Sequence, residues 1–214
     1  MGFKDAGERW NARYRSAAGL LFGEEPNAWL QAQAGHLPPA AKVCCLADGE
    51  GRNSTWLAAQ GHSVSAFDIS EVAIDKLAAL AAARGVQVQA SVGNADDWIA
   101  QIEQADGAES LDAVAAIFIQ FADPPLRTRL FRAIGRALRP GGILIIEGYG
   151  IRQMRYRTGG PGIAENLYSL ALLSTSFPDW ATLAGRNVDI DIVEGSAHVG
   201  RSHLVSAVLR KPVG

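Results

Sequence analysis

The chain has 214 residues, 48% of them hydrophobic and 20% charged, with a net charge of −2. That length suits one large α/β domain, and the near-neutral balance offers no general attraction to a polyanion, so neither nucleic acid nor a membrane surface is an expected partner. The longest nearly apolar stretch, 113–122, is too short to cross a bilayer, and the start at Met1-Gly2-Phe3 carries no leader-like apolar run.

In chain order, a helix is expected over 5–15, then a Gly-containing loop and a short helix after Pro26-Asn27, closed by Pro38-Pro39. The pattern then alternates. Strands are expected over 42–46, 62–67, 86–92, 111–119 and 142–147. Helices are expected over 53–60 and from the N-cap Ser70 to residue 83. A further helix follows from Leu126, Leu130, Ile134, Ala137 and Leu138 at helical spacing. Alternation of this kind implies a parallel sheet with helices on both faces. The last part differs: 187–193 alternates apolar and acidic residues, Glu194-Gly195-Ser196 reads as a turn, and 203–209 as a second strand, so an antiparallel hairpin closes the sheet. The only cysteines, Cys44 and Cys45, are neighbours in the first strand. They would face opposite sides and stay as core thiols, which makes a cytoplasmic location the default.

The strongest site signal is the segment Val43-Cys44-Cys45-Leu46-Ala47-Asp48-Gly49-Glu50-Gly51-Arg52-Asn53-Ser54. A buried strand runs into a Gly-x-Gly turn and then a helix, which places bare backbone at the carboxyl end of a strand, where open α/β sheets bind ligands. On that reading a Gly51→Val change blocks binding while the fold survives. Asp68, seventeen residues beyond Gly51, ends the second strand and can accept hydrogen bonds from both hydroxyls of a ribose. Two cofactors fit: a nicotinamide dinucleotide and S-adenosylmethionine (SAM). The dinucleotide fingerprint wants a third small residue where Ser54 stands and a free helix N-terminus for pyrophosphate. Asp48 and Glu50 would repel that pyrophosphate, whereas Asp48 attracts an ammonium, so charge favours SAM.

These residues resemble the class I SAM-dependent methyltransferases, and more narrowly their tellurite-resistance and thiopurine-methyltransferase-like small-molecule branch. The loop Asp48 to Asn53 is similar to that branch's Gly-Glu-Gly-Arg-Asn signature, and Leu138-Arg139-Pro140-Gly141-Gly142 to the family's turn before the fifth strand. Trp10-Asn11-x-Arg13-Tyr14 and Phe22-Gly23-x-Glu25-Pro26-Asn27 resemble its lid segments. Glu147-Gly148-Tyr149, Thr158-Gly159-Gly160-Pro161 and Glu165-Asn166-Leu167-Tyr168 match as well. The resemblance implies a single Rossmann-like domain over 1–214. In it, 1–40 forms a helical lid and 41–214 a core of mostly parallel sheet with a C-terminal antiparallel hairpin strand. It also implies a small-molecule substrate, a monomer or homodimer, and no metal. Many members carry an acid where Cys45 stands, Gly where Ala47 stands, Asp where Asn94 stands and His where Gln120 stands.

On that resemblance, Asp48, Gly49 and Gly51 hold the methionine part of SAM and Asp68 its ribose, with Asn53 a further cofactor contact. Ile69 packs the adenine, Asn94 with Ala95 meets its edge, Ile117 and Phe118 face the cofactor, and Arg13 and Tyr14 close the site. The product is S-adenosylhomocysteine. Methyl transfer from a sulfonium is an in-line displacement, in which orientation alone supplies about 7 kcal/mol or more. None of the four histidines shows metal spacing or an evident acid–base partner. A thiolate, selenolate or oxyanion acceptor would need little help from a base near neutral pH, being already anionic. Gln120, Tyr149, Arg152, Arg155 and His198 are the candidate substrate contacts, the arginines for an anionic group. A nicotinamide-dependent oxidoreductase and a non-catalytic SAM-binding module are the alternatives.

Overall fold

The computed structural model describes residues 3–104 and 108–213. Met1 and Gly2, part of the start read above for a leader, lie outside the described residues. The elements run α1 (Phe3–Ser16), α2 (Ala28–Gln33), β1 (Lys42–Cys45), α3 (Arg52–Ala59), β2 (Ser63–Asp68), α4 (Glu71–Arg84), β3 (Gln89–Val92) and α5 (Ala95–Glu103). They continue with β4 (Leu111–Ile117), α6 (Pro124–Ala137), β5 (Leu138–Tyr149), α7 (Gln153–Tyr156), α8 (Leu170–Ser176), β6 (Ala181–Glu194) and β7 (His198–Arg210).

The seven strands form one sheet in the order β3-β2-β1-β4-β5-β7-β6. The first five pair in parallel, and β7 pairs antiparallel with both β5 and β6. The expected mostly parallel, Rossmann-like sheet with a closing hairpin is therefore present. Strand order reverses between β1 and β4, and that switch point is where the carboxyl ends of the strands leave a crevice.

Each face of the sheet carries its own core, because alternate residues of a strand point to opposite sides. Cys44, Val114, Leu144 and Ile146 pack with Trp98 and Ile99 of α5 and with Leu130 and Ile134 of α6. Cys45, Ala115, Ile143 and Ile145 pack with Leu30 of α2, Leu57 of α3 and Leu77 of α4. The two cysteines are buried, free and on opposite faces, as their adjacency requires. Burial pushes the Cys44 thiol up to about 11, so it is an uncharged packing group.

Caps fix the helix starts that frame the crevice. Ser70 accepts from the Ala73 N–H and starts α4, as expected from the sequence, and Gly85 in the left-handed conformation ends it. Helix α5 was not expected. Asn94 and Asp97 make a reciprocal capping box, and Ala95, Trp98, Ile99 and Ile102 give it a buried face. The hairpin strands also start earlier than their apolar alternation, at 181 and 198, because backbone pairing carries them through polar residues. Strand β5 begins at Leu138, with Arg139-Pro140-Gly141-Gly142 bulging from a register shift against β4.

Candidate functional site

The carboxyl ends of β1, β2 and β4, with the start of α5, surround a cavity of about 350 Å³, covered from outside by α1 and the segment after it. The volume lies within the range of small-molecule sites, roughly 300–1,000 Å³.

The turn after β1 forms one end. Ala47 has φ 46°, Gly49 φ 63° and Gly51 φ 85°. Only the last two have a residue suited to that conformation; Ala47 pays on the order of 1–2 kcal/mol for its Cβ. The two glycines are required for different reasons. A Cβ on Gly49 would stand 2.8 Å from the Tyr14 hydroxyl, so the bare Gly49 lets α1 pack Tyr14 against the turn. A Cβ on Gly51 would run into Leu77 of α4, so Gly51 serves the packing of α3 on α4 and does not line the cavity. The close approach expected at Gly51 is thus to a neighbouring helix, and a valine there acts on the fold itself.

Two carboxylates face this end. Asp68 Oδ2 accepts from the Gly49 N–H at 2.9 Å and Oδ1 from the Ser70 N–H at 2.9 Å. Each oxygen keeps a second acceptor site for a hydroxyl. Asp48 accepts from the Ser54 N–H at 3.3 Å, in the first turn of α3. Burial pushes both carboxyls up to about 6, against their hydrogen bonds and, for Asp48, against the pull of the Arg52 guanidinium. Glu50, expected to add to this charge, turns away instead. It accepts from Lys76 Nζ at 2.8 Å and from the Leu21 N–H at 2.6 Å, and does not line the cavity.

The middle is lined by Ile69, Phe67, Asn94, Ala95 and Ile117. Asn94 spends its side-chain oxygen on the Asp96 and Asp97 N–H groups, which leaves its amide N–H₂ as a donor toward a ligand edge. Asn53 also lines the cavity, and its Oδ1 accepts from the Asn27 N–H at 2.9 Å, tying the lid to α3.

The far end is aromatic. Phe118 adopts φ 55°, an unfavourable conformation for a bulky residue, pinned by its N–H donating to the Glu147 carbonyl at 2.8 Å. Its ring packs 4.7 Å from the His198 ring, and Phe22 of the lid packs 4.6 Å from the same histidine. Trp10 stacks on Tyr14 at 5.5 Å and lines the cavity. Phe121, 47% exposed, completes the wall.

Of the expected cofactor residues, Tyr14, Asp48, Gly49, Asn53, Asp68, Ile69, Asn94, Ala95, Ile117 and Phe118 line the cavity. Arg13 does not; its guanidinium lies over the outer Trp10 ring at 4.5 Å. Of the expected substrate contacts, His198 alone lines it. Gln120 is a strut: Nε2 donates to the Tyr149 and Asn166 carbonyls, and Oε1 accepts from the Tyr149 N–H at 2.6 Å. Tyr149 lies buried behind Phe118 and His198. Arg152 is engaged by Asp189 through two contacts of 3.1 and 2.9 Å, outside the cavity, and Arg155 is exposed away from it.

Sequence reasoning missed Trp10, Phe22, Arg52, Phe121 and Leu126 as lining residues. Arg52 was within reach, since it follows Gly51 in the signature loop. It is nearly buried and pairs with Glu194 at 2.9 Å, joining α3 to the end of β6. The lid is tied down at several points. Ser70 donates to Asn11, Lys76 donates to the Tyr14 and Gly19 carbonyls, and the Ser196 N–H donates to the Leu21 carbonyl. Among the described residues, no group of His, Cys, Asp or Glu is placed to hold a metal ion, and no helix is long and apolar enough to cross a membrane.

With this geometry in view, residues 43–142 match a family model described as a methyltransferase domain (Methyltransf_25). No curated protein matches the sequence. Among solved structures, the chain resembles a protein studied for the conversion of a disulfide bond into a thioacetal group during echinomycin biosynthesis. The TM-score is 0.75 at 19% identity, over 97% of this chain and 92% of that one. It resembles TehB from Haemophilus influenzae with a TM-score of 0.69 at 15% identity, over 96% of this chain and 66% of that one. It also resembles 1,6-didemethyltoxoflavin-N1-methyltransferase from Burkholderia thailandensis, solved with 1,6-didemethyltoxoflavin and S-adenosylhomocysteine bound. There the TM-score is 0.60 at 20% identity, over 98% of this chain and 84% of that one.

Proposed function

We propose that this protein is a SAM-dependent methyltransferase acting on a small-molecule acceptor, with the cofactor in the cavity over β1, β2 and β4. The observation that carries the reading is the pair of carboxylates, Asp48 and Asp68, raised to about 6 at one end of a cavity whose two arginines do not pair with them: Arg52 is engaged by Glu194 and Arg9 is exposed. A ligand with an ammonium and a ribose supplies what both lack. Asp68 would take the ribose hydroxyls, Asp48 the ammonium, Ile69 and Phe67 the flanks of the adenine, and the Asn94 amide its edge.

When bound, the cofactor supplies a methyl group on a positively charged sulfur. The chain's own residues orient and shield. Tyr14 and Trp10 close over the Gly49 turn, and Phe118 sets the cavity's depth from its strained position. Excluding water while fixing the approach line is the main catalytic demand of such a transfer.

A dinucleotide fits less well. Asp48 already occupies the N–H of Ser54 at the start of α3, where a pyrophosphate would have to bind, and brings negative charge to that place. The fold and the small cavity suit a small acceptor. Thiols, selenols, tellurite and small carboxylic acids are the first set to assay, because they are nucleophilic without help. The test is release of S-adenosylhomocysteine from SAM in the presence of each acceptor. Turnover with any of them supports the reading; tight SAM binding with no turnover on any acceptor points to a binding module.

A further inference from the structure

Resting on the methyl-transfer reading, we propose that His198, oriented by Glu194, is a general base taking the proton from a neutral O–H or N–H acceptor on a flat aromatic ring.

Residue 198 opens β7, immediately after the turn from β6, and the hairpin carries it into the cavity beside the lid. Its Nδ1 lies 3.2 Å from Glu194 Oε2. The neutral ring therefore keeps its proton on Nδ1 and offers the Nε2 lone pair. Nε2 has no hydrogen-bond partner among the described residues, and the side chain lines the cavity. This is the arrangement by which a fixed carboxylate selects the tautomer of a catalytic imidazole and stabilises its cation.

Glu194 is held to that task. Oε2 also accepts from Arg52 at 2.9 Å, and Oε1 from the Asn27 side chain at 3.2 Å. Burial alone would raise its carboxyl, but His198 and Arg52 outweigh that and hold it at about 2. It is ionised at any working pH. The other titratable group against the imidazole is the Tyr149 phenol, which burial, Glu194 and Glu147 push far above its ordinary range, so it stays neutral. Glu147 behind it is paired with Arg186 at 2.6 Å.

The walls indicate the acceptor. Phe22 and Phe118 flank the imidazole, and Phe118 packs 4.8 Å from Tyr149. A flat ring fits such walls by offset or edge contact. Two arginines line the cavity: Arg52 is engaged by Glu194, and Arg9 is exposed on the lid. An acceptor that arrives as an anion therefore finds no buried cation that is not already paired, whereas a neutral acid finds a base. In the step, the acceptor's proton passes to Nε2, and the oxygen or nitrogen pair forms the bond to the methyl carbon. The carbon–sulfur pair returns to sulfur, and the imidazolium later yields its proton to water.

The test uses the full chain with SAM and three probes: phenol, 4-nitrophenol and 4-nitrothiophenol, the last ionised at neutral pH. His198→Gln should lower kcat on phenol by about 10²–10⁴-fold, less on 4-nitrophenol, and by under about threefold on the thiolate. SAM affinity should not change. Imidazole nitrogen NMR of the free protein should show a proton on His198 Nδ1, and Glu194→Gln should lose that preference and shift the base limb of the pH profile to lower pH. A proton found on Nε2, or equal losses on phenol and thiolate, overturns the dyad while leaving methyl transfer intact. Failure on all three probes with SAM bound overturns this inference, while turnover with the thiols, selenols, tellurite or carboxylic acids named above decides the parent reading separately.

Discussion

The two ends of the cavity are built in opposite ways. The carboxylate end comes from short stretches of chain, the turn after β1 and the end of β2, and is held by backbone hydrogen bonds: Asp68 is gripped by the N–H groups of Gly49 and Ser70. The aromatic end gathers Phe22 from the lid, Phe118 from the end of β4 and His198 from the hairpin, and is held by side chains meeting across long separations. A carboxylate fixed by main chain can serve one invariant ligand, since its geometry hardly depends on which side chains surround it. A wall made of side chains on a lid and a hairpin can be altered one residue at a time. The division suits a common cofactor at one end and a variable acceptor at the other.

Three predictions sharpen this contrast. The largest effect falls on stability at the carboxylate end. Gly51→Val places a branched side chain against Leu77 at φ 85°, and should lower unfolding free energy by about 2–4 kcal/mol. Urea unfolding checks it, and an unchanged midpoint would show that α3 and α4 separate at little cost. Next, Asp68→Ala removes a carboxylate with two free acceptor sites. SAM should bind about ten- to a hundredfold more weakly, as one or two charge-assisted hydrogen bonds imply. Titration calorimetry measures it, and wild-type affinity would refute the ribose role. The smallest effect is with pH. Both carboxyls are raised in the free protein, to about 6, so their neutral form stabilises the fold. That contribution is full below pH 4 and is lost as pH rises through about 6. A cationic ligand prefers the ionised form, so affinity should rise with pH, by about tenfold from pH 5 to pH 8 for one such carboxylate. Equal affinity at both pH values would mean that Asp48 meets no cation.

The same contrast decides how much could be read from the sequence. The middle of the sheet was legible because β1, β4 and β5 are largely buried apolar runs with helical spacing between them. The carboxylate end was legible because Asp48, Gly49 and Asp68 follow the strand ends at short range. The aromatic end was not: nothing in the spacing of Phe22, Phe118 and His198 says that they meet, since a β hairpin and a lid bring them together. Glu194 was read only as a turn residue, so the histidine four positions later had no visible partner. Gly51 was read as ligand contact because a glycine signals close approach without saying to what; the answer, Leu77, lies on another helix. The arginines after β5 were read as an anion site because Asp189, which engages Arg152, lies more than thirty residues on. Ala47 carried a signal that was noted without its reason: the family's usual glycine there suits the left-handed backbone this alanine adopts.

Titration of the purified protein with SAM, S-adenosylhomocysteine and the oxidised and reduced nicotinamide dinucleotides bears most directly on the cavity's assignment. The account predicts saturable one-site binding of both adenosyl compounds, and none of either dinucleotide. Affinity for a dinucleotide, or none for SAM and its demethylated product, would contradict it.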